Sequence, residues 1–243
     1  LEGWARAQQG ELTEGIADGN NFEAQGSVAI GAGYDGGTAS LKFSGGAAQS
    51  LNLTGVESIF NGDIEVAKSA ETLTLGSALT MDAVGQDLTI TSGTFSTSGT
   101  NYGLTIAGDL LMNGGTTALN ASTVAVTGTA RLNGGSVTSS GGSMTAGTLQ
   151  VTSGTYAQGT QTVATTALVV DGGTFTGGGG SMTAGSITLS TGTLTAPSGT
   201  LSVTGGWTHT AGGTFTHNSG TVAFTGNSAT IDVSSTESFS ALT

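Results

Sequence analysis

Few residues in this chain could do acid–base or nucleophilic chemistry, and their spacing decides what that chemistry would be. Asp87 and Asp109 each stand immediately before a leucine, Leu88 and Leu110, and Arg131 follows at a similar interval. Polysaccharide cleavage requires carboxylates gathered on one face, which makes this trio the candidate for it. The simpler expectation is that Arg131 balances two surface acids. His209 and His217 have no acid or nucleophile at matching positions, so a serine-hydrolase triad is not expected. His209, beside Trp207, reads as a hydrogen-bonded core histidine. Asp35, Asp63, Asp82 and Asp171 are isolated from one another, whereas Ca²⁺ takes about six to eight converging oxygens. With no cysteine, thiolate ligands and disulfides are ruled out. The expectation is a protein that is not an enzyme and carries no cofactor and no metal.

The elements that would position any such groups follow from a repeat. Residues 91–96 read small, turn, Gly, Thr or Ser, core-sized, then Thr, Ser or Ala. The pattern returns at 113–118, 133–138, 152–157, 171–176, 190–195 and 211–216, steps of 22, 20, 19, 19, 19 and 21 residues by subtraction. Three short apolar beats per period of about 20 residues mark a stacked coil of strands. One column runs Leu88/Ile90, Leu110/Met112, Ala130/Leu132, Leu149/Val151, Leu168/Val170, Ile187/Leu189, Trp207/His209. The second has one inward residue per turn: Phe95, Thr117, Val137, Tyr156, Phe175, Leu194, Phe215. The third runs from Leu104/Ile106 through Val124/Val126, Met144/Ala146, Val163/Thr165, Met182/Ala184 and Leu201/Val203 to Val222/Phe224. The identical hexapeptides at 142–147 and 180–185 lie 38 residues, or two turns, apart and support this register. The predicted fold is an all-β, three-sided parallel β-helix, or β-solenoid, with rungs of about 19–22 residues. The general crossover rule favours a right-handed coil.

Flanking the second column is a regular array of hydroxyls: Thr94, Thr116, Thr138, Thr155, Thr174, Thr176, Thr193, Thr195, Thr214 and Thr216. Stacked at strand spacing, it resembles the ice-binding face of some β-helical antifreeze proteins. That resemblance implies a binding face for ice or carbohydrate. The plainer reading is that Thr is a favourable exposed strand residue whose stacked copies pack together. Ala118, Ala157 and the serines at 96 and 136 interrupt the pattern and favour the plainer reading.

Residues 1–26 carry five of the 16 acidic residues and show no strand alternation. They read as a cap, a linker or a subunit-docking segment, with a short helix around Trp4–Gln8 broken at Gly10; residues 27–243 read as the solenoid. At the other end, residues 221–242 echo 40–64: Val222/Phe224 match Leu41/Phe43, Ile231/Val233 match Leu51/Leu53, and 237–239 match 57–59. The echo suggests a second module opening, with nothing polar to close it. Trp4, Ile231, Val233 and Phe239 are therefore the candidate assembly ends. The partner expected there is another copy of the chain, stacked end to end as a homopolymer, or further modules of the same chain.

Composition narrows the partners. The formal net charge is −12, from 16 acidic and 4 basic side chains, and the basic residues Arg6, Lys42, Lys68 and Arg131 are scattered. Nucleic acid and anionic lipid demand clustered basic residues, so neither is expected. No apolar run approaches the roughly 18 residues of a membrane span. A start at Leu1 suggests a processed form or a piece of something longer. Asn52-Leu53-Thr54 and Asn120-Ala121-Ser122 fit the glycosylation sequon. The units at 69–96 and 221–242 resemble the recurring strand units of large extracellular β-strand-repeat proteins of bacteria, surface adhesins and secreted fibres, and the likeness covers roughly residues 40–243. It implies an extracellular or cell-surface location and a structural or adhesive role, with surface glycans as further partners.

Overall fold

The computed structural model describes residues 5–7, 10–12, 21–31, 37–54, 61–234 and 236–243. Every described regular element is a strand, and every strand pairing is parallel, in one continuous stack of about ten turns. The protein is a β-solenoid. Its first column runs in unbroken register from Ala5 through Phe22, Leu41, Ile64, Leu88, Leu110, Ala130, Leu149, Leu168 and Ile187 to Trp207 and Ile231. At about 4.8 Å per turn, the rod is on the order of 50 Å long.

Phe95, Thr117, Val137, Tyr156, Phe175, Leu194 and Phe215 stand opposite one another in a single row. The third column runs as expected from Leu104 to Val222. Alternate residues of a strand face opposite sides, so each short strand sends its apolar beats inward, and these side chains merge into one buried core from Phe22 to Val222. A single turn has no second layer to cover its apolar face; the turns above and below supply it.

The glycine in each repeat has a geometric cause. At Gly135 φ is +69°, and an added Cβ would come within 2.4 Å of the Gly115 carbonyl oxygen in the turn before. The corner backbones therefore stack too closely for any side chain, in a conformation that L-residues avoid.

Three expectations need correction. Ala5–Ala7 and Gly10–Leu12 are strands pairing with Phe22–Ala24 and Val28–Ile30, not a helix, so strand stacking runs back across residue 26. Trp4 lies outside the described residues. Turn length is less uniform than 19–22: first-column neighbours are 24 residues apart at Ile64–Leu88 and at Trp207–Ile231, and 17 apart at Ala5–Phe22, by subtraction of paired positions. The extra length is absorbed in corners, for instance the one carrying Val84, which is fully exposed. Finally, the echo between 40–64 and 221–242 is not a structural repeat. Leu41/Phe43 sit in the first column, whereas Val222/Phe224 sit in the third. Two-beat strands look alike wherever they fall, so the echo reflects strand chemistry and not place in the coil. The Glu57–Ile59 part of it lies outside the described residues.

Candidate functional site

Threonine occupies the outer positions beside the second column because a β-branched residue suits an exposed strand, and the coil brings these residues into rows. One row is Thr72, Thr94, Thr116, Ser136, Thr155, Thr174, Thr193 and Thr214. The adjoining row is Thr74, Ser96, Ala118, Thr138, Ala157, Thr176, Thr195 and Thr216. Every predicted member of the array is therefore on one face, and that face extends one turn further, to Thr72 and Thr74. Most of these side chains are half-buried by their neighbours; Thr138, Thr155, Thr176, Thr214 and Thr216 are exposed. From residue 110 to 231 the chain has only two charged residues, Arg131 and Asp171, so the flanking surface is almost uncharged.

The aspartates form a different structure from the one expected. Asp63 is not isolated. Along the corner before the first column, Ser40 N donates to Asn21 Oδ1 (3.2 Å), Asp63 N to Ser40 Oγ (3.2 Å) and Asp87 N to Asp63 Oδ1 (2.9 Å). The ladder continues with Asp109 N to Asp87 Oδ1 (2.7 Å) and Thr129 N to Asp109 Oδ1 (2.6 Å). Each side chain thus satisfies the backbone donor of the next turn at a corner where regular pairing lapses. Burial, and after it the neighbouring Asp63 and Asp109 charges, push the Asp87 carboxyl above the usual range against the pull of its backbone bond. Arg131 does not join this ladder: it stands opposite Leu111 and Gln150, exposed, and forms no ion pair among the described residues. No group of three or more His, Asp or Glu side chains placed to hold a metal ion occurs among the described residues. Asp35 lies outside them. Asp171 accepts from Thr191 Oγ1 at 3.3 Å.

His209 is buried beside Trp207, as its inward position predicts. The expectation that no acid stands near it is overturned. Its Nδ1 lies 2.6 Å from Glu237 Oε2, and Trp207 Nε1 donates to the same oxygen at 3.4 Å. Glu237 comes from the turn above, 28 residues along, so adjacency in the sequence gives no hint of it. This buried polar pair also means that the last described turn is not wholly apolar. Phe215, Phe224 and Phe239 surround Trp207 with ring centroids 4.8, 6.4 and 5.5 Å away. No hydroxyl nucleophile hydrogen-bonds to His209 among the described residues, and the pair serves to join the last turn to the one below. His217 accepts from Ser219 N at 2.9 Å.

Several further polar side chains lie in the interior, among them Lys68 with Gln49 and Tyr156 with Gln161. Lys68 follows Ile64 and Val66 inward into a corner, where Nζ donates to Ala47 O (2.7 Å) and Gln49 Oε1 (2.5 Å). Gln49 Nε2 in turn donates to Ala24 O and Gly26 O. Burial lowers the Lys68 pKa, with Glu71 opposing. Tyr156 donates to Gln161 Oε1, whose Nε2 is the sole buried side-chain polar atom without a partner among the described residues. Asn120, in one of the two sequons, is held by Ser96, Thr97 and Ala118, while Asn52 is exposed.

The last feature is the terminal turn. Ile231 is 46% and Leu242 51% exposed, and with Val84 they are the exposed large apolar side chains of the described residues. Val233 and Phe239 pack partly against the core. Among the described residues, Thr230–Val233 pairs with Gly206–His209 on one side only.

Fold and surface together define a β-solenoid repeat protein with a hydroxyl-rich flank. Comparison with protein-family models, with curated proteins and with solved structures finds no match to this chain.

Proposed function

We propose that this chain is a structural β-solenoid, a subunit or module of an extracellular filament, surface layer or adhesin, whose rods continue end to end. The observation that carries this reading is the terminal turn: two of the three exposed large apolar side chains, Ile231 and Leu242, lie on it. Ile231 itself belongs to Thr230–Val233, a strand whose outer edge has no partner among the described residues. An open edge of parallel strands is a template for more strand, and apolar side chains beside it favour a continuation over solvent. Negative-stain electron microscopy and sedimentation of the purified chain over a range of concentrations test the proposal. Rods that lengthen in multiples of the single-chain length support it, and monodisperse short rods at every concentration overturn it.

A second reading rests on the two in-register rows from Thr72/Thr74 to Thr214/Thr216. Such a face would bind ice or carbohydrate through regularly spaced hydroxyls and methyls. Thermal hysteresis together with a glycan array tests it: a signal lost on changing Thr155 and Thr174 to Lys supports the reading, and silence in both assays removes it.

A further inference from the structure

The corner that leads from the third column to the first projects at one level of the rod and is hollow at another. Leu79–Met81 pairs with Leu104–Ile106 and so belongs to the third column. Six residues separate Met81 from Leu88 at this corner, against three between Ile106 and Leu110 and two between Thr165 and Leu168, by subtraction. The extra residues carry Val84, which is fully exposed, and an added Cβ at Gly85 would meet nothing within 4 Å, so this corner stands out from the rod. Four turns along, counted through Met81, Ile106, Val126, Ala146 and Thr165, lies a groove of about 430 Å³. Ala164, Thr165, Thr166, Thr183, Gly185 and Thr204 line it, and no charged residue does. At about 4.8 Å per turn, roughly 19 Å separates projection from groove. Charge is divided along the same edge. Asp82 and Asp87 flank the projection and Asp109 follows one turn on, whereas Arg131, a further turn on, is exposed and forms no ion pair among the described residues.

We infer that this edge is an interface between two copies of the chain lying side by side and antiparallel, with Val84 of each seated in the groove of the other. The contact is lateral and uses no strand edge, so it goes beyond the end-to-end reading and stands independently of it. A two-fold axis perpendicular to the rods at the level of Val126, two turns from Met81 and two from Thr165, fills both grooves at once. Such an isologous contact is closed at two copies. Taking the Val84 side chain out of water favours it. Its neighbouring acids then face an uncharged wall, because the chain carries no charged residue between Arg131 and Asp171. Each Arg131, close to the axis, comes within one turn of the level of Asp109 in the other copy, which supplies the missing counter-charge. Parallel rods in register would set Val84 against Val84 and Asp87 against Asp87 and leave both grooves empty, an arrangement that like charge disfavours.

Sedimentation equilibrium and disulfide crosslinking test the seating. Val84→Asp is expected to weaken pairing by at least about tenfold, and Thr166→Lys, which fills the groove, to do the same. Both positions are exposed, so an unchanged melting temperature separates lost docking from lost folding. The chain has no cysteine, so the double variant Val84→Cys with Thr166→Cys can bridge only at those positions. Within one rod they are too far apart for a disulfide, and oxidation is expected to give a covalent dimer and nothing larger on a denaturing gel. Val84→Cys alone is expected to remain uncrosslinked. A dimer from the single variant, or a ladder of larger multimers from the double one, overturns the antiparallel seating. A chain that never pairs, or that pairs indifferently to both substitutions, overturns the interface. Rods that lengthen end to end without the crosslink overturn this inference and leave the filament reading standing. Crosslinked pairs no longer than a single rod at every concentration support this inference and overturn the filament reading.

Discussion

Tyr156 and Gln161 show how a buried hydrogen bond is worth most when it is half removed. Tyr156 is fully buried, stacks on Phe175 with ring centroids 5.3 Å apart, and donates to Gln161 Oε1. Tyr156→Phe strands that acceptor and should cost about 1–3 kcal/mol in chemical denaturation; adding Gln161→Leu should recover much of it. Burial also pushes the Tyr156 phenol well above its usual value. The folded state then holds this proton more tightly than the unfolded chain. Its contribution to stability is complete below the ordinary tyrosine range, near pH 10, and is lost as pH rises above it. Wild type should lose stability on alkaline titration more steeply than Tyr156→Phe. Asp87 follows the same sign in the acid range. Its raised pKa means that it favours the fold below the ordinary carboxylate range and disfavours it as pH rises. Asp87→Asn keeps an oxygen for the Asp109 N–H and should raise the melting temperature at pH 7, with an advantage that shrinks as pH falls through that range. Glycine separates two further effects. Gly135→Ala meets both a positive φ and the Gly115 carbonyl and should cost about 2–4 kcal/mol. Gly85, at φ +75° with nothing within 4 Å of an added Cβ, should cost only about 1–2 kcal/mol on replacement.

At the scale of the element, each strand is short and its place is set by its neighbours in the stack. The last segment is the instructive case. Residues 236–243 form little regular structure beyond Ala241–Leu242, yet Glu237 bonds His209 and Trp207, and Phe239 packs on Trp207 and Phe215. Glu237→Ala removes the acceptor from two buried donors and should destabilise the final turn by about 1–3 kcal/mol. The readout is a shift in Trp207 fluorescence and faster hydrogen exchange in residues 236–243, ahead of global unfolding.

At the scale of the molecule, the solenoid is nearly one-dimensional, so a residue matters according to how many turns cover it. Leu168 is fully buried, with turns packed above and below. Leu168→Ala should cost about 2–5 kcal/mol. Ile231→Ala, on the exposed terminal turn, should cost less than about 1 kcal/mol in a single rod, while weakening association between rods. A ratio near unity between the two costs would mean that the terminal turn is as fully covered as the middle.

The sequence by itself determined the coil, its three columns, the row from Phe95 to Phe215 and the face bearing Thr94 and its successors. Those features rest on local alternation and on glycine spacing, and both are written in consecutive residues. Ala5–Ala7 was misread because three residues are too short for a period to show, and because its strand character comes from pairing with Phe22–Ala24. Only the tertiary structure decided the rest: Asp63 beneath Asp87, Glu237 against His209, Lys68 over Gln49, and Arg6, Glu23, Lys42 and Glu65 in one column. These partners lie 17 to 28 residues apart, in turns of unequal length. Variable corners shift the count between turns, and the shared core, not the local chain, sets which residues finally meet.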